Sequence, residues 1–315
     1  MQFEVIILGC GAAIPTQRHA PTAQAINWQG RWFLFDAGEG VQTAIRKYGV
    51  PLQKIEAICI SHMHGDHVLG LPGLIGSMSL FGRVKPLRIF GPSTLKNYVR
   101  ETLKWTHTHA KFPILIEDCP EDATSTIETW GDNALVSIPV KHRVPAFGFA
   151  LAHSPSQRNV RKDLVSEHGL TRTEILQLKA GNDVERINGE MLRVEKLCEP
   201  LKPGISYVFS GDTSPTDAIS IVSKNADVLY HEATFLHELR MTAKSTGHTT
   251  AKQAGELAVK SDVQTLILGH LSSRYRDETK VLSEAATAHP NVHLANEGMK
   301  IRLTPGEKPQ IRYLE

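Results

Sequence analysis

The segment Ser61-His62-Met63-His64-Gly65-Asp66-His67 decides the fold, because it places four possible metal donors directly behind a short apolar run. That run, Ala57–Ile60, has the length and composition of a buried strand. Imidazole nitrogens and carboxylate oxygens are suitable zinc ligands, and a tight loop can direct them toward two neighbouring ions. Gly65 lets the backbone fold closely around such ions. A solvated, histidine-rich turn is the alternative, and it leaves the strand in front of the motif unexplained.

Four further apolar runs also end in a possible ligand or catalytic group. The run ends and the polar residues behind them are Val140 with His142, Phe209 with Asp212, Tyr230 with His231, and Leu268 with His270. In α/β sheets the carboxyl ends of the strands line one edge, where binding sites gather. We therefore expect these side chains to converge with the histidine motif.

Short apolar runs alternate with amphipathic stretches over most of the chain, which is typical of an α/β fold. The predicted strands are Glu4–Leu8, Arg31–Phe35, Ala57–Ile60, Leu87–Phe90, Ala134–Val140, Ser206–Phe209, Asp227–Tyr230 and Thr265–Leu268. The predicted helices are Gly40–Tyr48, Leu71–Phe81, Ser93–Thr106 and Thr250–Lys260. Thr249 or Thr250 can cap the last helix, in which Ala254, Leu257 and Ala258 share one face.

Composition bounds the class of protein. The chain has 315 residues, of which 41% are hydrophobic and 22% charged, and its net charge is +2. These values are typical of a soluble globular protein without a strong overall pull toward nucleic acid or membrane. The N-terminus lacks the pattern of a secretory signal, and no run is long enough to cross a bilayer. The four cysteines are widely spaced, so we expect a reducing, cytoplasmic location rather than a disulfide scaffold.

Residues 155–203 differ from the rest of the chain. Nine Lys or Arg and eight Asp or Glu are interleaved there, with few apolar clusters. This pattern predicts an arm inserted into a single domain that spans residues 1–315, although a separate small domain is also compatible with it. Residues 83–111 hold seven Lys or Arg against the single acid Glu101, which indicates either a phosphate-binding surface or a solvated helix face.

The histidine motif after a strand resembles the metallo-β-lactamase superfamily, and nearly the whole chain resembles one branch of it, the ribonuclease Z endonucleases that process tRNA 3′ ends. The motifs that carry this resemblance are Leu8-Gly9-Cys10-Gly11-Ala12-Ala13-Ile14-Pro15-Thr16, Asp36-Ala37-Gly38-Glu39-Gly40, Ser210-Gly211-Asp212-Thr213, His231-Glu232-Ala233-Thr234-Phe235, Gly247-His248-Thr249-Thr250 and His270-Leu271-Ser272-Ser273-Arg274-Tyr275. The implied fold is an αββα sandwich with the arm inserted at about 155–203.

The resemblance implies two Zn²⁺ ions per chain with a bridging water or hydroxide. The implied ligands are His62, His64 and His142 for the first ion, Asp66, His67 and His270 for the second, and Asp212 as the bridge between them. Zinc lowers the pKa of bound water to about 7, so hydroxide can attack a phosphodiester at neutral pH.

Three residues are expected to act in catalysis. Asp66 orients or deprotonates the attacking water, His248 protonates the leaving 3′-oxygen, and Glu232 fixes the tautomer of His248. Glu232 could instead support a metal-bound histidine, and His248 could be a residue of the helix entry without a catalytic duty. His231 receives no ligand role.

The implied substrate is precursor tRNA, cut at its 3′ trailer to leave a tRNA 3′-hydroxyl and a trailer 5′-phosphate. The resemblance also implies a homodimer, and no membrane partner is expected. The arm departs from the family, because His168-Gly169-Leu170-Thr171 lacks the usual Gly/Pro-rich turn and its charges nearly balance. Two alternatives stay open: a two-zinc phosphodiesterase or esterase of small molecules, which would share every ligand, and a non-catalytic RNA-binding module, which the intact ligand set opposes.

Overall fold

Two large β-sheets pack face to face in a computed structural model, which describes residues 3–314. The strands are β1 Phe3–Gly9, β2 Ala23–Trp28, β3 Arg31–Phe35, β4 Ile55–Cys59, β5 Leu87–Gly91, β6 Ile114–Asp118, β7 Ser125–Trp130, β8 Asn133–Val140, β9 Ala146–His153, β10 Val184–Glu185, β11 Met191–Leu192, β12 Ile205–Phe209, β13 Val228–Glu232, β14 Thr265–Gly269, β15 Val292–Leu294, β16 Met299–Leu303 and β17 Gln310–Tyr313. The first sheet has the order β17-β16-β1-β2-β3-β4-β5-β6, and the second has the order β15-β14-β13-β12-β9-β8-β7.

Helices cover the outer face of each sheet, which gives four layers. The helices are α1 Val41–Lys47, α2 Gly65–Val68, α3 Leu71–Leu80, α4 Leu95–Trp105, α5 Lys162–Glu167, α6 Arg172–Lys179, α7 Val194–Leu197, α8 Asp217–Val222, α9 Arg240–Thr246, α10 Ala251–Lys260 and α11 Thr279–Ala286, with 3-10 turns at Leu52–Lys54 and His237–Leu239. Helices α1, α3 and α4 share a hydrophobic cluster with the first sheet, and α8, α10 and α11 share one with the second. A third cluster, rich in aromatic residues, lies between the sheets. No helix in residues 3–314 has the length and apolar composition required to cross a membrane.

Parallel pairing brings several strand ends to the same edge of the sandwich. Strands β3 to β6 run parallel in the first sheet, and β12 to β15 run parallel in the second. The polar motifs directly follow β4, β12, β13 and β14. The side chains of these motifs therefore meet at the edge of the sandwich, between the two sheets. This topology positions the site described below.

The eight predicted strands and four predicted helices all coincide with observed elements, with ends that differ by at most two residues. Several strands were missed, and their sequences explain why. Strand β2 is buried throughout but contains Gln24 and Asn27, which interrupt its apolar pattern. Strand β9 is rich in Ala and Gly, which favour strands weakly. Thr250 caps α10 in a capping box with Gln253, and Ala254, Leu257 and Ala258 are buried there as expected.

The segment between β9 and β12 forms the arm. It contains α5, α6, the hairpin β10-β11 and α7. The sequence suggested few apolar clusters there, yet residues that are scattered along it gather into a small cluster of their own, Leu170, Leu178, Leu192, Leu197 and Cys198. His153 and Ile205 are register partners in the second sheet, so the arm leaves and rejoins the sandwich at adjacent positions.

Candidate metal centre

A buried carboxylate fixes the position at which the histidine motif leaves β4. The backbone nitrogen of Ser61 donates to Oδ1 of Asp36 over 2.7 Å, and its hydroxyl donates to Oδ2 over 2.8 Å. Asp36 follows β3, the strand parallel to β4, and it is fully buried. Because Asp36 fixes Ser61, the next residues of the motif start from a defined position.

Three histidines form the first cluster of donor atoms. Nε2 of His62 lies 2.9 Å from Nδ1 of His64, and Nε2 of His142 lies 3.3 Å from the same atom. Burial lowers the pKa of all three imidazoles, which favours the neutral form that binds metals. His142 comes from the loop after β8 in the opposite sheet, so the cluster joins the two halves of the sandwich.

Asp66, His67 and His270 form the second cluster. Oδ2 of Asp66 lies 3.2 Å from Nε2 of His270 and 3.4 Å from Nε2 of His67. The backbone nitrogen of Ala13 also donates to this oxygen over 2.7 Å, which ties the loop after β1 to the site. The structure therefore brings these three side chains together from both sheets.

Asp212 lies between the two clusters. Its Oδ2 atom is 3.1 Å from Nε2 of His270, 3.4 Å from Nε2 of His67 and 3.7 Å from Nε2 of His62. Burial opposes ionisation of Asp212, but His270 and His67 outweigh it and lower the pKa of the carboxyl well below its usual range. One carboxylate is thus within reach of both groups of donors.

His67 tests whether these residues suit a cation. Its Nδ1 lies 2.7 Å from Asp36, whereas its fully buried Nε2 has no hydrogen-bond partner and faces the carboxylates of Asp66 and Asp212. A buried nitrogen without a partner is rare, because it loses its hydration without compensation. Burial opposes protonation of His67, yet Asp212 and Asp36 raise its pKa well above the usual value. Positive charge is favoured at this point, as a bound metal ion would provide.

In three of the histidines, the ring nitrogen that faces away from the clusters is held by a neighbour. Nδ1 of His62 lies 3.0 Å from the Ser61 hydroxyl, and Nδ1 of His142 lies 2.8 Å from the Gly247 carbonyl oxygen. Nδ1 of His270 lies 2.8 Å from the Thr234 hydroxyl. Such partners fix ring orientation and tautomer in metal sites. The roles of Asp36, Gly247 and Thr234 were not predicted from the sequence, although Asp36 also stands at the end of a predicted strand.

His248 and Glu232 are paired beside the clusters. Nδ1 of His248 lies 2.9 Å from Oε1 of the buried Glu232, which also accepts a hydrogen bond from the Thr213 backbone nitrogen. The Thr234 hydroxyl donates to Oε2 of Glu232 over 2.6 Å, and the same hydroxyl lies against His270. Burial opposes protonation of His248, but Glu232 outweighs it and raises its pKa to about 9. Glu232 therefore holds His248 directly and supports His270 through Thr234.

His231 is buried on β13, and its Nδ1 lies 2.8 Å from the Glu232 carbonyl oxygen. Burial lowers its pKa, so the ring is neutral. Its burial in the strand and its contact with a backbone carbonyl are consistent with a structural role.

A cavity of about 430 Å³ opens beside His248. Its cationic wall consists of Lys141, Arg240 and Lys244. The three arginines of the basic stretch 83–111 are less available than its sequence suggested. Arg83 donates to backbone carbonyls, Arg88 pairs with Glu117 and Glu128, and Arg100 pairs with Glu101. The cations next to His248 are therefore the better candidates for phosphate contacts.

Comparison with known proteins yields one family model and many relatives. Residues 3–119 match the model described as Anti-Pycsar protein Apyc1. The chain is 36% identical to ribonuclease Z of Bacteroides fragilis over 96% of its length and 99% of that protein. It is 34% identical to ribonuclease Z of Bacteroides thetaiotaomicron over 96% of each chain.

The structural comparison agrees with these relatives. Human tRNase Z, short form (ELAC1), has a TM-score of 0.69 and 25% identity, and the match covers 95% of this chain and 98% of the human one. The expected metallo-β-lactamase fold is therefore confirmed, and a member of this fold family with these His and Asp clusters depends on divalent metal. With full-length relatives above 30% identity, the chain belongs to the ribonuclease Z family.

Proposed function

We propose that this protein is a zinc-dependent endoribonuclease that removes the 3′ trailer of precursor tRNA. The observation that supports this most strongly is the arrangement of six donor side chains around Asp212, with the His248–Glu232 pair directly beside them. Its family relatives carry the name ribonuclease Z, and a solved structural neighbour is a tRNase Z.

The donor set suits two Zn²⁺ ions. The proposed ligands are His62, His64 and His142 at one position, Asp66, His67 and His270 at the other, and Asp212 at both. Nitrogen and carboxylate oxygen donors are common at catalytic zinc sites. The ions would supply an activated water at neutral pH and would stabilise charge on the phosphate.

The chain's own residues orient the reactants and move the protons. Asp66, which accepts a hydrogen bond from the Ala13 backbone nitrogen, would orient or deprotonate the attacking water. Because Glu232 engages Nδ1 of His248, Nε2 is the nitrogen that can meet the substrate in the cavity. His248 would give its proton to the leaving 3′-oxygen, so the products are a tRNA 3′-hydroxyl and a trailer 5′-phosphate.

The cationic wall supports a nucleic-acid substrate. Lys141, Arg240 and Lys244 line the cavity that His248 borders, where they can contact phosphates that flank the cleaved bond. We propose that the arm at 155–203 contacts the body of the tRNA. We also propose a cytoplasmic homodimer: the dimer follows from the family resemblance, and the four buried, unpaired cysteines are consistent with a reducing compartment.

The test is cleavage of a precursor tRNA with a 3′ extension, followed by mapping of both new ends. The expected products carry a 3′-hydroxyl and a 5′-phosphate, and a small phosphodiester serves as the comparison substrate. Arg240→Ala and Lys244→Ala should raise KM for the RNA, and this defect should be largest at low salt, because each variant releases fewer counterions on binding. Lys260→Ala is the matched control, because Lys260 pairs with Asp217. Efficient turnover of the small phosphodiester without cleavage of the RNA would instead support the small-molecule alternative.

A further inference from the structure

A second set of metal-type donors lies away from the histidine motif. Sγ of Cys10 lies 3.3 Å from Nδ1 of His19 and 3.7 Å from Oε1 of Glu297. Nδ1 of His19 lies 3.0 Å from Oε2 of Glu297. Cys10 directly follows β1, His19 lies in the loop before β2, and Glu297 lies in the loop between β15 and β16. The three donors therefore join the first loop of the chain to its last segments.

The distances within this group are close to those between ligands of one ion, although two of the three lie slightly outside the ideal range. Zinc bonds of about 2.0–2.3 Å in tetrahedral geometry separate ligand atoms by about 3.3–3.6 Å. The observed separations are 3.3 Å from Sγ of Cys10 to Nδ1 of His19, 3.0 Å from that nitrogen to Oε2 of Glu297, and 3.7 Å from Sγ to the other carboxylate oxygen, Oε1. Cys10 is fully buried and His19 nearly so, which means that their positions are set by the fold.

The other side of His19 has the partner that metal-bound histidines usually have. Its Nε2 lies 3.0 and 3.1 Å from the two carboxylate oxygens of Glu278. Arg18 in turn donates to Glu278 over 2.8 Å. A carboxylate on the far nitrogen orients the imidazole and increases its basicity toward a metal.

We propose that Cys10, His19 and Glu297 form a third metal site, which binds a single thiophilic divalent cation of the zinc class. A cavity of about 540 Å³ borders His19 and Glu297, so water can reach the fourth ligand position. Burial raises the pKa of the Cys10 thiol well above its usual value, with Glu297 adding to this effect. The free thiol thus keeps its proton, and the bound cation would displace that proton to solvent.

The position of the site indicates a structural role. The Cys10 carbonyl accepts a hydrogen bond from the backbone nitrogen of Leu271, the residue after His270. The same loop carries Ala13, whose nitrogen holds Asp66. A cation at Cys10 would clamp this loop to the C-terminal segments without contacting the substrate.

The same geometry allows one alternative, in which a protonated His19 donates to Glu297 and Glu278 and no ion binds. Thiolate-to-metal charge transfer distinguishes a metal bound at Cys10 from this metal-free network. The proposed catalytic ligands contain no sulfur, so they do not contribute to the signal. The probe is excess Cd²⁺, which thiolate ligands prefer to zinc, added to the zinc-loaded protein, with the ultraviolet charge-transfer absorption of the cadmium–thiolate bond as the readout.

We expect a saturable thiolate band in the unmodified protein and its loss in Cys10→Ser. Cys119→Ser, another buried cysteine, is the matched control and should keep the band. Glu278→Gln should keep the band but weaken binding about 10–100-fold, as loss of a carboxylate partner does. His19→Gln gives a second variant in case Cys10→Ser folds poorly, and thermal unfolding checks both.

Absence of the band at saturating metal would overturn the proposal, and so would a band that persists in Cys10→Ser. Metal analysis gives an independent count, because the bound zinc should fall by about one ion per chain in His19→Gln. An unchanged count would show that His19 is the protonated member of a hydrogen-bond network.

Discussion

The metal centre and the arm are built in opposite ways. Donors of the centre come from loops after β4, β8, β12 and β14, which belong to different sheets and lie far apart in sequence. The arm is stabilised by contacts between its own residues. Thr171 and Glu174 form the cap of α6, and Arg186 pairs with Glu174 and Glu190.

This difference indicates a division of labour. Changes in the centre should propagate through several elements, because each donor depends on the packing of both sheets. Changes in the arm should stay local, because its apolar residues pack into a cluster of their own and its connection to the sandwich is narrow. The following experiments test this separation, beginning with the largest expected effect.

Asp212→Ala should abolish activity, with a loss of roughly 10³-fold or more, since metal ions supply several kcal/mol of transition-state stabilisation. Its carboxylate is the group within reach of both donor clusters. Elemental analysis should show loss of metal from both positions. A variant that retains two tightly bound ions would show that Asp212 does not bridge them.

His248→Ala should keep its metal and its affinity for RNA but lose about 10²–10⁴-fold in kcat, the usual contribution of a general acid. A substrate with a better leaving group should recover part of the loss, because protonation then matters less. Single-turnover cleavage and zinc content are the measurements. Loss of zinc from this variant would assign His248 to the support of the metals instead.

Asp36→Asn should weaken metal binding by about 10–100-fold, because the carboxylate orients His67 and the Ser61 backbone. Competition with a chelator measures the affinity. Glu56→Gln is the matched control, since Glu56 is an exposed carboxylate paired with Arg31. Equal affinities in the two variants would contradict the role of Asp36.

Replacement of residues 156–200 by a short glycine-containing turn should reduce precursor tRNA cleavage on the order of tenfold or more, or about 1.4 kcal/mol of binding. The pairing of His153 with Ile205 allows a short turn to close the gap. Hydrolysis of a small phosphodiester and zinc content should remain unchanged. Leu178→Ala, which leaves a cavity in the arm's hydrophobic cluster, should also reduce precursor tRNA cleavage.

If the shortened protein cuts both substrates as well as the full chain does, the arm does not contact the RNA. If it loses zinc, the arm supports the centre and the separation between the two regions is wrong. Each result is informative provided that thermal unfolding shows a folded sandwich.

The convergence of the site was predictable from the sequence because strand ends are visible as apolar runs that stop at polar residues. His62, His142, Asp212 and His270 each follow such a run, and the structure brings them together. The His248–Glu232 contact was expected from motifs alone, and it is present at 2.9 Å.

Other features depend on contacts that no local pattern carries. Gly247 acts through its carbonyl oxygen, and any residue type offers that atom. Cys10, His19 and Glu297 are brought together by pairing between β1, β2 and β16, which links the two ends of the chain. The arm's cluster was missed because its apolar residues are spaced irregularly over short elements.

The backbone at the site also carries a cost. Asp36 and His270 both adopt left-handed conformations, with φ of 58° and 53°, although neither is glycine. Such residues are disfavoured by about 1–3 kcal/mol each. A chain selected for stability alone would place Gly or Asn at these positions, and it would thereby lose a metal donor at one and the carboxylate behind His67 at the other. The centre is therefore a place where thermostability and activity trade against each other, and stabilising substitutions are better sought elsewhere in the sandwich.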